Sequence, residues 1–91
     1  MYKISYTNRF KKSLKRCVKR GLNIDKLRDA LLILEKKGVL PEKYKAHKLS
    51  GNYNGAWECH IEPDWLMIWE QNNMELTLLF IDTGSHSDLF D

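Results

Sequence analysis

Tyr2, Ile4 and Tyr6 alternate with Lys3 and Ser5, a two-residue period that predicts a short opening strand. The period then lengthens. Phe10, Leu14, Cys17 and Val18 recur at i, i+4, i+7 and i+8, one apolar stripe of a helix whose other sides carry Arg9, Lys11, Lys12, Lys15, Arg16, Lys19 and Arg20. Thr7 or Asn8 can cap the first turn with a side-chain oxygen, and Gly21 supplies the left-handed residue that ends the helix. Asn23 caps a second helix, with Asp25 in the first turn and Lys36 and Lys37 in the last, as the helix dipole favours. Its stripe is Ile24, Leu27, Leu31 and Leu34; Ala30 permits close packing, and Gly38 and Pro41 stop it. So short a link between the two predicts a helix hairpin.

From residue 44 the period returns to two. Tyr44 to Leu49 predicts a short strand or extended arm, and Ser50 to Gly55 a turn-rich loop. Trp57, Cys59 and Ile61 then share one face of a strand, and Glu58, His60 and Glu62 the other. Pro63 and Asp64 turn the chain into Trp65 to Trp69, apolar on both faces and so a central strand. Asn72 and Asn73 form a hairpin turn before a last strand from Leu76 to Asp82, with Leu76, Leu78, Phe80 and Asp82 on one side. The order is β-α-α-β-β-β-β, an α+β fold in one domain over residues 1–91. The helix hairpin is expected to cover one face of a mainly antiparallel, twisted sheet and to leave the other to histidines and a ligand.

Charge adds a division that hydropathy does not show. All 15 Lys and Arg residues lie between Lys3 and Lys48, where only 4 acidic residues oppose them; residues 49–91 carry 8 acidic residues and no Lys or Arg. Such segregation predicts a basic face suited to polyphosphates or acidic partners. No apolar run approaches the roughly 18 to 20 residues of a membrane span, and Met1 to Tyr6 lacks the pattern of a secretion signal, so a cytoplasmic protein is expected. Cys17 and Cys59 have no CxxC partner and are expected as free, buried thiols.

The candidate chemistry lies in the sheet half. His47, His60 and His86 each fall near a strand end or turn, and Asp64 follows His60 closely enough to orient an imidazole. Histidine changes charge near neutrality, as proton transfer at that pH requires. A zinc site is disfavoured because Cys59 and His60 are adjacent and point to opposite faces of a strand. Ser85 and Ser87 beside His86 suggest a hydrolase pair only by adjacency, which rarely gives the required geometry. The residues suit phosphodiester chemistry on RNA: a base takes the ribose 2′-OH proton, the oxygen attacks phosphorus, and an acid protonates the leaving oxygen. Cations then offset the growing charge, and Trp57, Trp65, Tyr53 and Phe90 are candidates to stack on bases, with Trp69 assigned to the core.

Three segments carry a family resemblance: Tyr44-Lys45-Ala46-His47-Lys48-Leu49 with Gly51, Glu58-Cys59-His60-Ile61-Glu62-Pro63-Asp64-Trp65, and Thr83-Gly84-Ser85-His86-Ser87-Asp88-Leu89-Phe90. Together they resemble the YafQ branch of the RelE-type toxins of bacterial type II toxin–antitoxin systems. The resemblance implies a metal-independent endoribonuclease without a cofactor that cuts messenger RNA in the ribosomal A site. It also implies partners: a co-encoded antitoxin, ribosomal RNA against the basic helices, and operator DNA bound through the antitoxin. By position it assigns His47, His60, Asp64 and His86 to catalysis and Trp65 and Phe90 to the lining of the site.

Two positions depart from the family pattern. Asp82 stands where family members carry an arginine that steadies the scissile phosphate, and Trp57 stands where a basic residue is common. Lys45 and Lys48, flanking His47, are the expected substitutes. The alternative is a toxin-fold protein with weak or no nuclease activity that acts through antitoxin binding and operon repression. A third possibility, an RNA-binding protein unrelated to toxins, predicts salt-sensitive binding to free RNA.

Overall fold

The computed structural model describes residues 1–90. Strand β1 (Lys3–Tyr6) leads into helices α1 (Asn8–Lys19) and α2 (Ile24–Lys37), followed by β2 (His47–Lys48), β3 (Trp57–Glu62), β4 (Trp65–Asn72), β5 (Thr77–Gly84) and a one-turn helix α3 (His86–Phe90). The strands form one sheet in the order β1-β5-β4-β3-β2. Only the β1–β5 pair is parallel. The expected helix hairpin on a mainly antiparallel sheet is therefore the architecture.

The helix ends form as their sequences dictate. Thr7 Oγ1 accepts the Phe10 N–H at 3.0 Å and donates to the Ile81 carbonyl at 2.7 Å, so one hydroxyl caps α1 and ties it to β5. Gly38 ends α2 with φ 69°, and the Tyr2 hydroxyl lies where a Cβ would stand. Beneath the helices Phe10, Cys17, Leu27 and Leu34 meet Cys59, Met67, Trp69, Leu78 and Phe80 in the main core. Core packing of this kind, rather than helix propensity, supplies most of the stability of such short helices.

Four expectations change. Val18 is exposed and Ser13 is buried in its place on the inner side of α1, because the Ser13 hydroxyl donates to Asp82 at 2.5 Å. The strand expected over Tyr44 to Leu49 shrinks to His47–Lys48, because Glu42–Tyr44 turns as a 3-10 helix and Lys45 adopts φ 51°. Leu76, with φ 56°, belongs to the β4–β5 turn, where the Asn72 side chain accepts the Met74 and Glu75 N–H groups at 2.9 Å. The far face of the sheet is also not left open. Leu66 and Ile68 on β4 are apolar there and need cover, which Ala56 and Leu89 provide together with Leu49, Tyr53 and Ile81. The histidines keep only the end of that face beside β2 and α3.

The basic front half and the acidic back half pair across the fold. Arg9 meets Asp82, Arg16 and Arg20 meet Asp88, and Lys26 meets Glu62. Among the described residues no helix is long and apolar enough to cross a membrane.

Candidate active site

Alternation along β3 sends Cys59 into the core and turns Glu58 and His60 to the face away from the helices. Strand β2 pairs His47 with Glu58, so His47 joins that face. The β3–β4 turn then presents Asp64, whose Oδ1 accepts both the His86 backbone N–H at 2.9 Å and the His86 Nδ1–H at 2.6 Å. Asp64 thus anchors the start of α3 and sets the orientation of its imidazole. The result is a row of rings: the His47 and His60 centroids are 6.4 Å apart and those of His60 and His86 6.0 Å.

Hydrogen bonding distinguishes the three. The Nδ1 of His60 faces the Pro63 carbonyl at 3.3 Å, and that of His86 faces Asp64. A carbonyl or carboxylate can only accept, so in each ring Nδ1 carries the proton and Nε2 is left for a substrate. His47 differs. Its Nδ1 faces the Lys45 carbonyl at 2.9 Å and its Nε2 lies 3.2 Å from Glu58 Oε1, so both ring nitrogens face protein oxygens. Glu58 is 5 % exposed, and its Oε2 has no protein partner.

Two carboxylates are held in the charged form. The backbone N–H and then the imidazole of His86 lower the pKa of Asp64. Asp88 is held well below the usual carboxylate range by the Arg20 guanidinium first, at 2.5 and 3.1 Å, and then by the Ser85 N–H. Asp88 thereby clasps α3 to α1. Gly84 makes the clasp possible, since a Cβ there would lie 2.7 Å from Asp88 Oδ2. A depressed folded pKa gives stability that is present above the unfolded value near 3.9 and declines as pH falls toward the folded one. Acidification below about pH 4 is expected to release α3, followed by the His86 ring resonances in NMR. Asp88→Asn is expected to lower the melting temperature at neutral pH and to flatten that acid dependence.

The structure does not place every expected residue at the histidines. Lys48 lies opposite Trp57 in the ladder, on the other side of the sheet from His47, with its Nζ 5.7 Å from the Trp57 ring centroid. Lys45 lines a cavity of about 390 Å³ with Trp57 and Trp69 and serves His47 through its carbonyl, not its ammonium group. Trp65 is 2 % exposed, packed in the core with Nε1–H donating to Thr83 Oγ1 at 3.0 Å, and offers no stacking face. Trp57 stacks on Trp69, with centroids 6.2 Å apart. Phe90 does meet the expectation of access: it is 48 % exposed and is met edge-on by Tyr53 at 6.0 Å. The Cys59 thiol is pushed up to about 12 by burial and is no nucleophile at neutral pH.

Sequence inspection missed the charges that do flank the row. Lys26 and Lys43 share a cavity of about 210 Å³ with His60, and Arg20 shares one of about 420 Å³ with Asp64. Glu58 was legible as sharing the face of His60; its pairing with His47 needed the β2–β3 register.

A helix hairpin over a five-stranded sheet is the architecture of a known toxin class. Residues 2–91 match the family described as bacterial toxin of type II toxin-antitoxin system, YafQ, and the chain belongs to that family. The mRNA interferase toxin YafQ of Escherichia coli strain K12 is 34% identical over 88 residues, 96% of this chain and 94% of that protein. YafQ in the crystal structure of the E. coli DinJ-YafQ complex is 33% identical and superposes with a TM-score of 0.90, covering 100% of both chains. A metal-bound toxin from Helicobacter pylori is 37% identical with a TM-score of 0.89, covering 99% of this chain and 100% of that one.

Proposed function

We propose that this toxin is a ribosome-dependent mRNA endoribonuclease that cuts in the A site and so halts translation. The observation that carries the proposal is the row His47, His60 and His86, in which two rings offer a free Nε2 and the third has both nitrogens against protein oxygens. The likeness to an mRNA interferase supports it.

In the proposed reaction His60 Nε2 takes the proton from a ribose 2′-OH and the freed oxygen attacks the adjacent phosphorus. Charge gathers on the phosphorane oxygens, beside the His47 ring that Glu58 backs. The bond from phosphorus to the 5′-oxygen breaks, and that oxygen takes a proton from His86 Nε2. Asp64 suits His86 to the acid role, since its carboxylate stabilises the imidazolium from which the proton leaves. The products are a 2′,3′-cyclic phosphate and a 5′-hydroxyl, with no metal ion needed in any step. Phe90 can stack on a base next to the cut, worth roughly 1–3 kcal/mol.

The antitoxin is the expected partner, as DinJ is for its YafQ, and contact with operator DNA would come through it. The cytoplasm, where ribosomes and mRNA meet, is the proposed location. Asp82 does not favour the non-catalytic alternative, because its carboxylate is turned to α1 and neutralised there by Arg9. Inducing the toxin in cells and mapping transcript 5′ ends is expected to show new ends within translated codons, which co-expressed antitoxin suppresses. Unaltered transcripts during toxin-induced growth arrest would refute the nuclease assignment.

A further inference from the structure

The reaction above leaves one buried charge unused. Asp82 is 2 % exposed, yet both its oxygens are occupied: Oδ1 accepts from Ser13 Oγ at 2.5 Å and from the Thr83 N–H at 2.8 Å, and Oδ2 meets Arg9 Nε at 3.0 Å. Arg9 meets Asp82 through Nε and its side chain is 66% exposed, so the guanidinium is reachable from solvent. Arg9 borders a cleft of about 360 Å³ between α1 and the β5–α3 corner, lined also by Lys12, Arg16 and Asp88. Asp88 in turn accepts the N–H of Ser85, the residue before His86. Asp88 thus ties the cleft, which lies on the helix side of the sheet, to the start of α3, the helix that carries His86.

We propose that this cleft is a phosphodiester subsite for the RNA strand flanking the cut, with Arg9 as its phosphate ligand and Asp82 as the positioning residue that aims Arg9. The proposal rests on the nuclease assignment and adds the path of the substrate. Three cations face the cleft against two carboxylates, and within the protein Asp82 already has two donors on Oδ1 and the Arg9 guanidinium against Oδ2. An incoming phosphate meets the outer N–H groups of guanidinium, a planar fork that matches phosphate oxygens. A buried carboxylate paired with the guanidinium restrains that fork before the RNA arrives, which lowers the ordering entropy of binding.

The test is cleavage of mRNA on programmed ribosomes, with the half-saturating toxin concentration followed against monovalent salt. Arg9→Ala is expected to reduce the slope of log affinity against log salt by about 0.7 and to weaken half-saturation by about tenfold, with kcat unchanged. Arg9→Lys, which keeps the charge and loses the fork, is expected to keep the slope and weaken half-saturation less. Asp82→Asn should weaken half-saturation in the parent and have no further effect once Arg9 is Ala, as a residue acting through Arg9 must. Melting temperatures of all variants report folding separately. An unchanged slope in Arg9→Ala overturns the subsite, including the case where that variant loses antitoxin binding instead. Additive losses from Asp82→Asn and Arg9→Ala overturn the positioning role. A parent protein that cuts no transcript refutes the nuclease assignment itself, a result distinct from either.

Discussion

His86→Ala is expected to lower the rate of mRNA cleavage by about 10²–10⁴-fold without unfolding the protein. The ring is exposed and its tie to Asp64 lies at the surface, so the loss in stability should stay within about 1 kcal/mol. The rate effect is large because the departing 5′-oxygen must be protonated as its bond to phosphorus breaks. His60→Ala should act on the other proton and produce a loss of similar size. The double variant should fall well short of the product of the two, since acid and base serve one transition state. Asp64→Asn is the finer probe. It keeps an oxygen for the His86 N–H groups but removes the charge that stabilises the imidazolium, so its loss should be smaller than that of His86→Ala. Rates measured under single turnover on ribosome-bound mRNA decide these outcomes.

Trp65→Ala is expected to cost about 3–5 kcal/mol of stability and to lower the melting temperature by roughly 12 °C or more. Trp65 is among the largest fully buried side chains, and its indole N–H is bonded to Thr83 Oγ1, whose hydroxyl donates to the Leu66 carbonyl at 2.6 Å. Truncation therefore opens a cavity and strips a buried hydroxyl of one partner. The residue also stands next to Asp64, so activity is expected to fall with folding, not ahead of it. Trp65→Phe separates the roles: it keeps the ring and loses the hydrogen bond, about 1 kcal/mol. A Trp65→Ala protein that melts normally but cleaves poorly would return Trp65 to the role of a base-stacking residue.

The helices and β3 were legible because their apolar spacing repeats over enough residues to fix a face. Phe10, Cys17, Leu27 and Leu34 are buried as their periods require, and Glu58 and His60 share the side of β3 that alternation gives them. Two-residue β2 was not legible in this way. No periodicity can be read from His47 and Lys48 alone, and the left-handed turn at Lys45 leaves no trace in hydropathy. Lys45 and Lys48 consequently looked like site cations, although Lys48 lies over Trp57 on the other side of the sheet and Lys45 meets His47 through its carbonyl. Asp82 teaches the opposite lesson. The alternation that groups it with Leu78 and Phe80 already pointed it away from the histidines, and only its place next to Thr83-Gly84 suggested a charge at the scissile phosphate. The cations that flank the row, Lys26, Lys43 and Arg20, come from the helices and the following turn, a placement that requires the tertiary fold.

The central claim is that histidines move the protons while the RNA's own 2′-OH attacks phosphorus. Analysis of the termini made by the purified toxin on ribosome-bound mRNA tests it most directly. A 2′,3′-cyclic phosphate, or the 3′-phosphate it hydrolyses to, opposite a 5′-hydroxyl is the predicted result, together with no cleavage where the ribose at the cut is 2′-deoxy. A 3′-hydroxyl opposite a 5′-phosphate, with the deoxy substrate still cut, would mean that water is the nucleophile and would contradict the account.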